Sequence, residues 1–306
     1  MAGKCTEQNA ITLGMKPRFT ITALTRGGRW IPLFSFLLFI TAFEILPFFR
    51  MALLSLEDPA GGISLFHYYD LASQKFQLIA LKNSITLALV SSFLGLMIGI
   101  VGANALTHLQ ESTRNRILVL TNLTSNFAGV PLAFSYIVLL GTNGLLTLGL
   151  KAAGISLYQY FTLYSWAGLT LIYIYFQVPL AIMLLYPAFL GLRAEWKDAV
   201  KNLGGSEFQY WRYVGLPAIL PSLSDTFSIL FANAMGAYAT AYALTSGNYA
   251  LAPLRIGNLI AGNVEINPNL AAAIAIIMAI CIIGCMSLKQ VFTGVSQRRR
   301  KYNVHQ

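Results

Sequence analysis

The sequence predicts an all-α polytopic membrane protein of six transmembrane helices, and three observations carry that prediction. Hydrophobic residues make up 56% of the 306-residue chain and charged residues 10%, against roughly 25% charged in soluble domains. Six apolar runs are each long enough to cross a hydrocarbon core about 30 Å thick, which takes roughly 20 helical residues. The runs are continuous rather than alternating, which selects helices over the short two-faced strands of a β-barrel. Their expected bounds are 30–49, 83–106, 117–140, 165–187, 222–245 and 269–288.

On this reading the chain comprises a cytoplasmic tail (1–29), a first span with its outer loop (30–82), a core of five spans (83–288) and a basic cytoplasmic tail (289–306). The net charge of +10 is a topology signal. With the amino terminus inside, 16 of the 21 Lys and Arg fall in inner segments, and Arg50, Lys75, Lys82, Lys151 and Arg255 fall in outer ones. That asymmetry obeys the positive-inside rule, so no nucleic-acid partner is expected. Both termini and the segment 188–221 are assigned to the cytoplasmic face. The run Arg298 to Lys301 reads as an anchor on anionic lipid.

Taken in order, the tail 1–29 is followed by an apolar run long enough to remain in the membrane as a signal anchor, with Glu44 placed to reach water or Arg50 at its outer end. The stretch 51–82 is expected to be a polar outer loop carrying Glu57, Asp58, Pro59, Gly61, Gly62 and Asp70. In span two, Gly95, Gly99 and Gly102 suit close helix packing. Asn122, Thr124, Ser125 and Asn126 cluster in span three and are expected to face the bundle interior, because polar groups in lipid need partners or water. The stretch 141–164 is aromatic and broken, suited to the outer interface. Pro179 in span four frees the carbonyl of Tyr175, so a kink is expected there, serving either packing or a hinge.

In span five, about 100° per residue puts Asp225, Asn233, Gly236 and Thr240 within roughly 80° of one another, with Tyr238 and Tyr242 on a separate face. The stripe is expected to face a translocation path. No Lys or Arg lies in the expected spans two to six, which leans toward a cationic solute. In the outer loop after span five, which also holds Asn248, Asn263 and Glu265, a short helix is expected over 254–261. Cys281 and Cys285, one turn apart on a helix, and Cys5 in the tail make no disulfide framework. His67, His108 and His305 have no partners at ligand spacing, so no metal site is expected.

One polar, helix-patterned island interrupts this apolar chain, from Glu195 to Pro221. Charged residues with Ala199 and Val200 form its first half, Gly204 and Gly205 supply a bend, and Phe208 to Tyr213 lead to Leu216-Pro217, where a proline break is expected. The spacing Asp198-Ala199-Val200, three residues, Gly204, then Gly215-Leu216-Pro217 resembles the signature of the membrane permeases of binding-protein-dependent ABC importers, the methionine/maltose/polyamine permease superfamily. Asp198 stands where Glu is usual, Val200 where a second Ala is usual, and Gly215 where an apolar residue or Thr is usual. The likeness covers roughly 83–288. The stretch Ala237 to Leu244 looks most like the polyamine-type permeases, with iron, thiamine and sulfate types near them.

That resemblance implies a coupling helix between spans four and five. Asp198, Ala199, Val200, Gly204, Leu216 and Pro217 would transmit the motion of a separate ATPase subunit. It implies a second permease, homologous or identical, an extracytoplasmic binding protein, and alternating access in a bacterial inner membrane. The candidate path residues are Asn122, Asn126, Asp225, Asn233, Thr240, Tyr238 and Tyr242. No cofactor is expected on this chain: its one Gly-Lys pair, Gly3-Lys4, lacks the rest of a phosphate loop, so ATP and Mg belong to the partner ATPase. A secondary transporter or channel would need coupling-ion or filter residues in the spans, and only Glu44 and Asp225 are acidic there. A membrane enzyme would need a reactive cluster, and none is evident.

Overall fold

The computed structural model describes residues 30–58, 62–247, 249–262 and 266–302, with side chains described between residues 33 and 287 of those stretches. The tail 1–29 with Cys5, together with Pro59, Gly61, Asn248, Asn263, Glu265, His305 and the side chains of Arg298 to Lys301, lies outside them. Residues 1–50 and 51–306 form two compact units. Every regular element described is helical apart from a lone bridge between Glu57 and Ile63. Six stretches have the length and hydropathy of a span: Leu33–Leu54, Lys75–Thr107, Val130–Ala152, Trp166–Leu190, Glu207–Met235 and Pro268–Ser287. The expected count holds, while several bounds move.

The first span is α1 (Trp30–Ile40), a π turn (Thr41–Ile45) and α2 (Leu46–Leu54). A second π turn, Trp211–Gly215, joins α10 (Glu207–Tyr210) to α11 (Leu216–Met235). Both turns stop two residues before a proline. Leu46 N–H donates to Thr41 O ahead of Pro47, and Leu216 N–H donates to Trp211 O ahead of Pro217. Proline lacks an N–H and its ring crowds the carbonyl four residues back, so one extra residue in the turn lets the helix run on. The expected break at Leu216-Pro217 is therefore corrected: helix continues from Glu207 through Pro217 and Pro221 to Met235.

Between these lie α3 (Phe66–Ser73), α4 (Lys75–Thr107), α5 (Glu111–Asn126), α6 (Val130–Leu140), α7 (Leu145–Ala152), α8 (Trp166–Leu190) and α9 (Ala194–Asn202). After α11 come α12 (Tyr238–Thr245), α13 (Ala252–Ala261) and α14 (Pro268–Tyr302). The expected outer loop 51–82 is thus partly helical, and α4 begins well before residue 83. His67 on α3 is buried, its Nε2 lying 3.0 Å from the Glu57 carbonyl. Pro179 sits inside an unbroken α8.

Helices α4 and α8 form the centre of the core. Gly95 lies against Gln177, Gly99 against Ala181 and Gly102 against Ile182, so the two helices run in the same direction with backbones close. Leu96, Ala103, Ala181, Leu185, Ile219 and Leu230 bring α11 onto the same pair. At one end of the bundle, Asn104 and Thr107 of α4, Leu190 of α8, Lys197 of α9 and Trp211 border a common cavity of about 450 Å³. At the opposite end α4 holds the chain after α12. Asn83 Nδ2 donates to Ala250 O (3.0 Å), Ala252 N–H donates to Ser84 Oγ (2.8 Å) and Arg255 Nε donates to Gln77 Oε1 (3.2 Å).

Candidate functional site: a capped turn and two helix breaks

The polar island folds as its residues dictate. Helix α9 ends in a Schellman arrangement: Gly204 N–H donates to Lys201 O (2.9 Å) and Gly205 N–H donates to Val200 O (2.8 Å). That closure needs a left-handed residue, and Gly204 supplies it at φ +78°. The next helix opens with a capping box. Gln209 N–H donates to Ser206 Oγ (3.3 Å) and Ser206 N–H donates to Gln209 Oε1 (2.7 Å). Lys197 on α9 forms an ion pair with Glu207 on α10, locking the two sides of the bend. The hydrogen bond to Glu207 holds the Lys197 ammonium above the ordinary lysine value.

Asp198 and Ala199 are exposed on α9, and Ala199 and Val200 line an apolar cavity of about 430 Å³ with Trp196, Leu203, Tyr213, Val214 and Ala218. Leu203 and Phe208 project from the bend at 88% and 71% exposure. The turn is therefore closed on both sides and carries exposed apolar side chains at its tip. Leu216 and Pro217 join that turn to α11 without interruption. Lys197, Ser206, Glu207 and Gln209 lie in the island that the sequence marks, but the sequence reading gives them no part in closing it. The Ser-x-x-Gln pattern was readable, whereas the ion pair needs the bend.

The second constellation corrects two expected spans. The run 117–140 is broken after Asn126, and the run 222–245 is broken at Gly236. At the first break Gly129 takes φ +77° and ψ −145°, a region open in practice to glycine alone, and Pro131 stands in the first turn of α6. At the second, Ala237 has φ −75° and ψ 73°, and Tyr238 N–H donates to Gly236 O (2.8 Å), an inverse γ-turn. The single-helix stripe through Asp225, Asn233, Gly236 and Thr240 is therefore replaced by two short faces, since Thr240 belongs to α12.

The two breaks meet. Gly129 N–H donates to Thr240 Oγ1 at 2.9 Å, and the Tyr173 hydroxyl of α8 donates to Ala237 O at 2.9 Å. Backbone groups freed by the breaks are thus satisfied by side chains, as apolar surroundings require. Tyr173 and Thr240 are 1% and 2% exposed. Tyr173 stands seven residues into α8, about 10 Å from its start, so the break lies within the length of the bundle. On the opposite face of α12, Tyr238 and Tyr242 stack with centroids 5.4 Å apart and an interplanar angle of 19°, both exposed. The Tyr238 ring covers Gly257 of α13, where an added Cβ would stand 2.8 Å from it.

The remaining candidate path residues lie apart. Asn122 and Asn126 are exposed on α5, with Asn126 Nδ2 donating to Asn122 O (2.9 Å) and to its Oδ1 (3.2 Å). The expectation that they face the bundle interior is corrected for this subunit: both stand at its surface, with Asn126 bonded back to Asn122. Asn233 is exposed and Asp225 half-buried on α11. Cys281 and Cys285 are free.

Fold and site define a helical membrane subunit with broken helices inside its bundle and one stiff polar turn at its end. The chain belongs to the family of binding-protein-dependent transport system inner membrane components, matched over residues 95–301, which makes it a transport component rather than an enzyme. It is 23% identical over 276 residues to the probable ABC transporter permease protein y4fN of Sinorhizobium fredii, covering 89% of this chain but only 47% of y4fN. The chain thus spans about half the length of that relative. It is 23% identical over 268 residues to the spermidine/putrescine transport system permease protein PotC of Escherichia coli, covering 86% of this chain and 92% of PotC. A solved bacterial ABC transporter involved in the import of the acidic polysaccharide alginate shares the fold, with a TM-score of 0.65 at 17% identity over 88% of this chain and 96% of that one.

Proposed function

We propose that this chain is the permease subunit of an ATP-driven importer of the bacterial inner membrane, with both termini and the α9–α10 turn on the cytoplasmic side. A separate ATPase would grip the turn at Asp198, Ala199, Val200 and Gly204, and Leu216 and Pro217 would pass its motion into α11. A second permease, identical or homologous, would complete the pore, and an extracytoplasmic binding protein would deliver the solute at the α13 end. The observation that carries the coupling role is the continuity of helix from Glu207 to Met235 behind a turn locked at Gly204, Ser206 and the Lys197–Glu207 pair. A stiff lever transmits displacement, whereas a loose loop absorbs it.

The solute path in this reading runs past Asn122, Asn126, Asp225, Asn233 and the α12 residues Tyr238, Thr240 and Tyr242. A cationic solute of the polyamine class suits it best. No Lys or Arg occurs over 83–107, 165–192 or 213–254, and Asp225 does; the likeness to PotC points the same way. The test is reconstitution of the tagged chain with a candidate ATPase, second permease and binding protein. ATP-dependent uptake of labelled spermidine, not competed by sulfate, supports the reading. A purified chain that brings down no ATPase in mild detergent would sink the importer reading, and uptake of an anion alone would overturn the cationic assignment.

A further inference from the structure

Helix α12 is too short to span a membrane, and four attachments hold it. Its start is tied to α8 by the Tyr173 hydroxyl on Ala237 O (2.9 Å) and to α6 by Thr240 Oγ1 on Gly129 N–H (2.9 Å). On its far side the Tyr238 ring rests on Gly257, and the chain beyond it is stapled to α4 through Ala250 and Ala252. Thr240 lies midway in sequence between Tyr238 and Tyr242. At about 100° per residue it points roughly 160° away from each tyrosine. The buried hydroxyl and the exposed ring pair therefore occupy opposite faces of one short helix, and turning α12 about its axis would break the first while re-aiming the second.

Neither hydroxyl has a packing reason to be there. Phenylalanine would fill the Tyr173 site and valine the Thr240 site, but each would leave a backbone group at a helix break without its partner. The second break sits where α11 stops, so the inverse γ-turn at Gly236 and Ala237 is the joint between the lever helix and α12.

We propose that Thr240 and Tyr173 are positioning residues for transport: as a two-hydroxyl latch they fix the azimuth of α12, and so the direction in which Tyr238 and Tyr242 face the solute path. This rests on the path reading given above. The latch holds α12 to α6 and α8 while α11 moves with the cytoplasmic turn, so each delivered stroke acts at the Gly236–Ala237 joint.

The experiment uses the assembled importer with Cys5, Cys281 and Cys285 replaced by Ser. Single cysteines are placed at Tyr242→Cys and at the buried Ala241→Cys, and their labelling rates with a water-soluble thiol reagent are compared. With the latch intact, position 242 labels much faster than 241. Thr240→Val and Tyr173→Phe should each lower that ratio, and the uptake per ATP hydrolysed, by roughly two- to tenfold, the worth of one hydrogen bond. Thr240→Ser keeps the hydroxyl and should restore both. An unchanged ratio and unchanged coupling in both Thr240→Val and Tyr173→Phe would overturn the latch while leaving the path reading standing. If Thr240→Val does not assemble, Tyr173→Phe, which preserves the ring, decides alone. Failure of Tyr242→Cys to label in the otherwise intact importer would remove the path reading and the latch with it.

Discussion

Gly99 of α4 lies so close to Ala181 of α8 that a Cβ on the glycine would stand 2.5 Å from the alanine Cβ. No rotamer change relieves that contact, because both partners are short and the Ala181 backbone is only 3.4 Å away. Gly99→Val should therefore cost about 1–3 kcal/mol of packing. A clear fall in the detergent melting temperature is expected. Gly284→Val, where nothing lies within 4 Å, should leave it unchanged, and equal melting of the two variants would refute the close α4–α8 approach.

One turn from that contact, Gln177 is fully buried and its Nε2 donates to Ser91 Oγ at 2.8 Å. Ser91→Ala strands a buried amide donor and should cost about 1–3 kcal/mol. Gln177→Leu in the same chain removes the stranded group, so the double variant should recover much of the loss. Additive destabilisation in thermal melts would show that the pair is not coupled.

The span count was legible because twenty apolar residues in a row can do little else, and the polar island was legible because it stands out against them. The breaks were not, because apolar runs read alike whether or not the helix continues. Gly129 ahead of Pro131 is a signal for a new helix start that the periodicity overrode. Gly236 carries no such signal; its break depends on Tyr173, more than sixty residues away in sequence, which supplies the partner for Ala237 O. A stripe drawn on one ideal helix therefore joined Asn233 to Thr240 across a joint. At Leu216-Pro217 the error ran the other way, since a π turn absorbs a proline that ordinary helix geometry rejects.

Gly204 tests the turn most directly. At φ +78° a β-branched side chain is strained by about 1–2 kcal/mol, although open space surrounds the position. Gly204→Val should leave membrane insertion intact while lowering uptake per ATP several-fold. Gly204→Asn, which tolerates a left-handed backbone, should do much less harm. Equal behaviour of the two would mean that the left-handed closure is not what the turn contributes.

The Lys197–Glu207 pair gives a pH prediction with a definite sign. Its hydrogen bond raises the lysine above the ordinary value of 10.5, so the contribution is complete below that value and is lost only as pH climbs through the raised one. Both groups are solvent-exposed, and screening limits what the pair adds to global stability; its effect belongs to the stiffness of the bend. The same hydrogen bond holds the Glu207 carboxyl below its ordinary value of 4.5, so coupled uptake that depends on this pair should be flat from about pH 6 to about pH 9. Lys197→Met and Glu207→Gln should lower uptake per ATP by similar factors, and the double variant should be no worse than either. Reversing the charges, Lys197→Glu with Glu207→Lys, should restore part of the loss. Independent losses that multiply in the double variant would place the two residues on separate tasks, and the bend would then owe its rigidity to the Gly204 closure and the Ser206 cap alone.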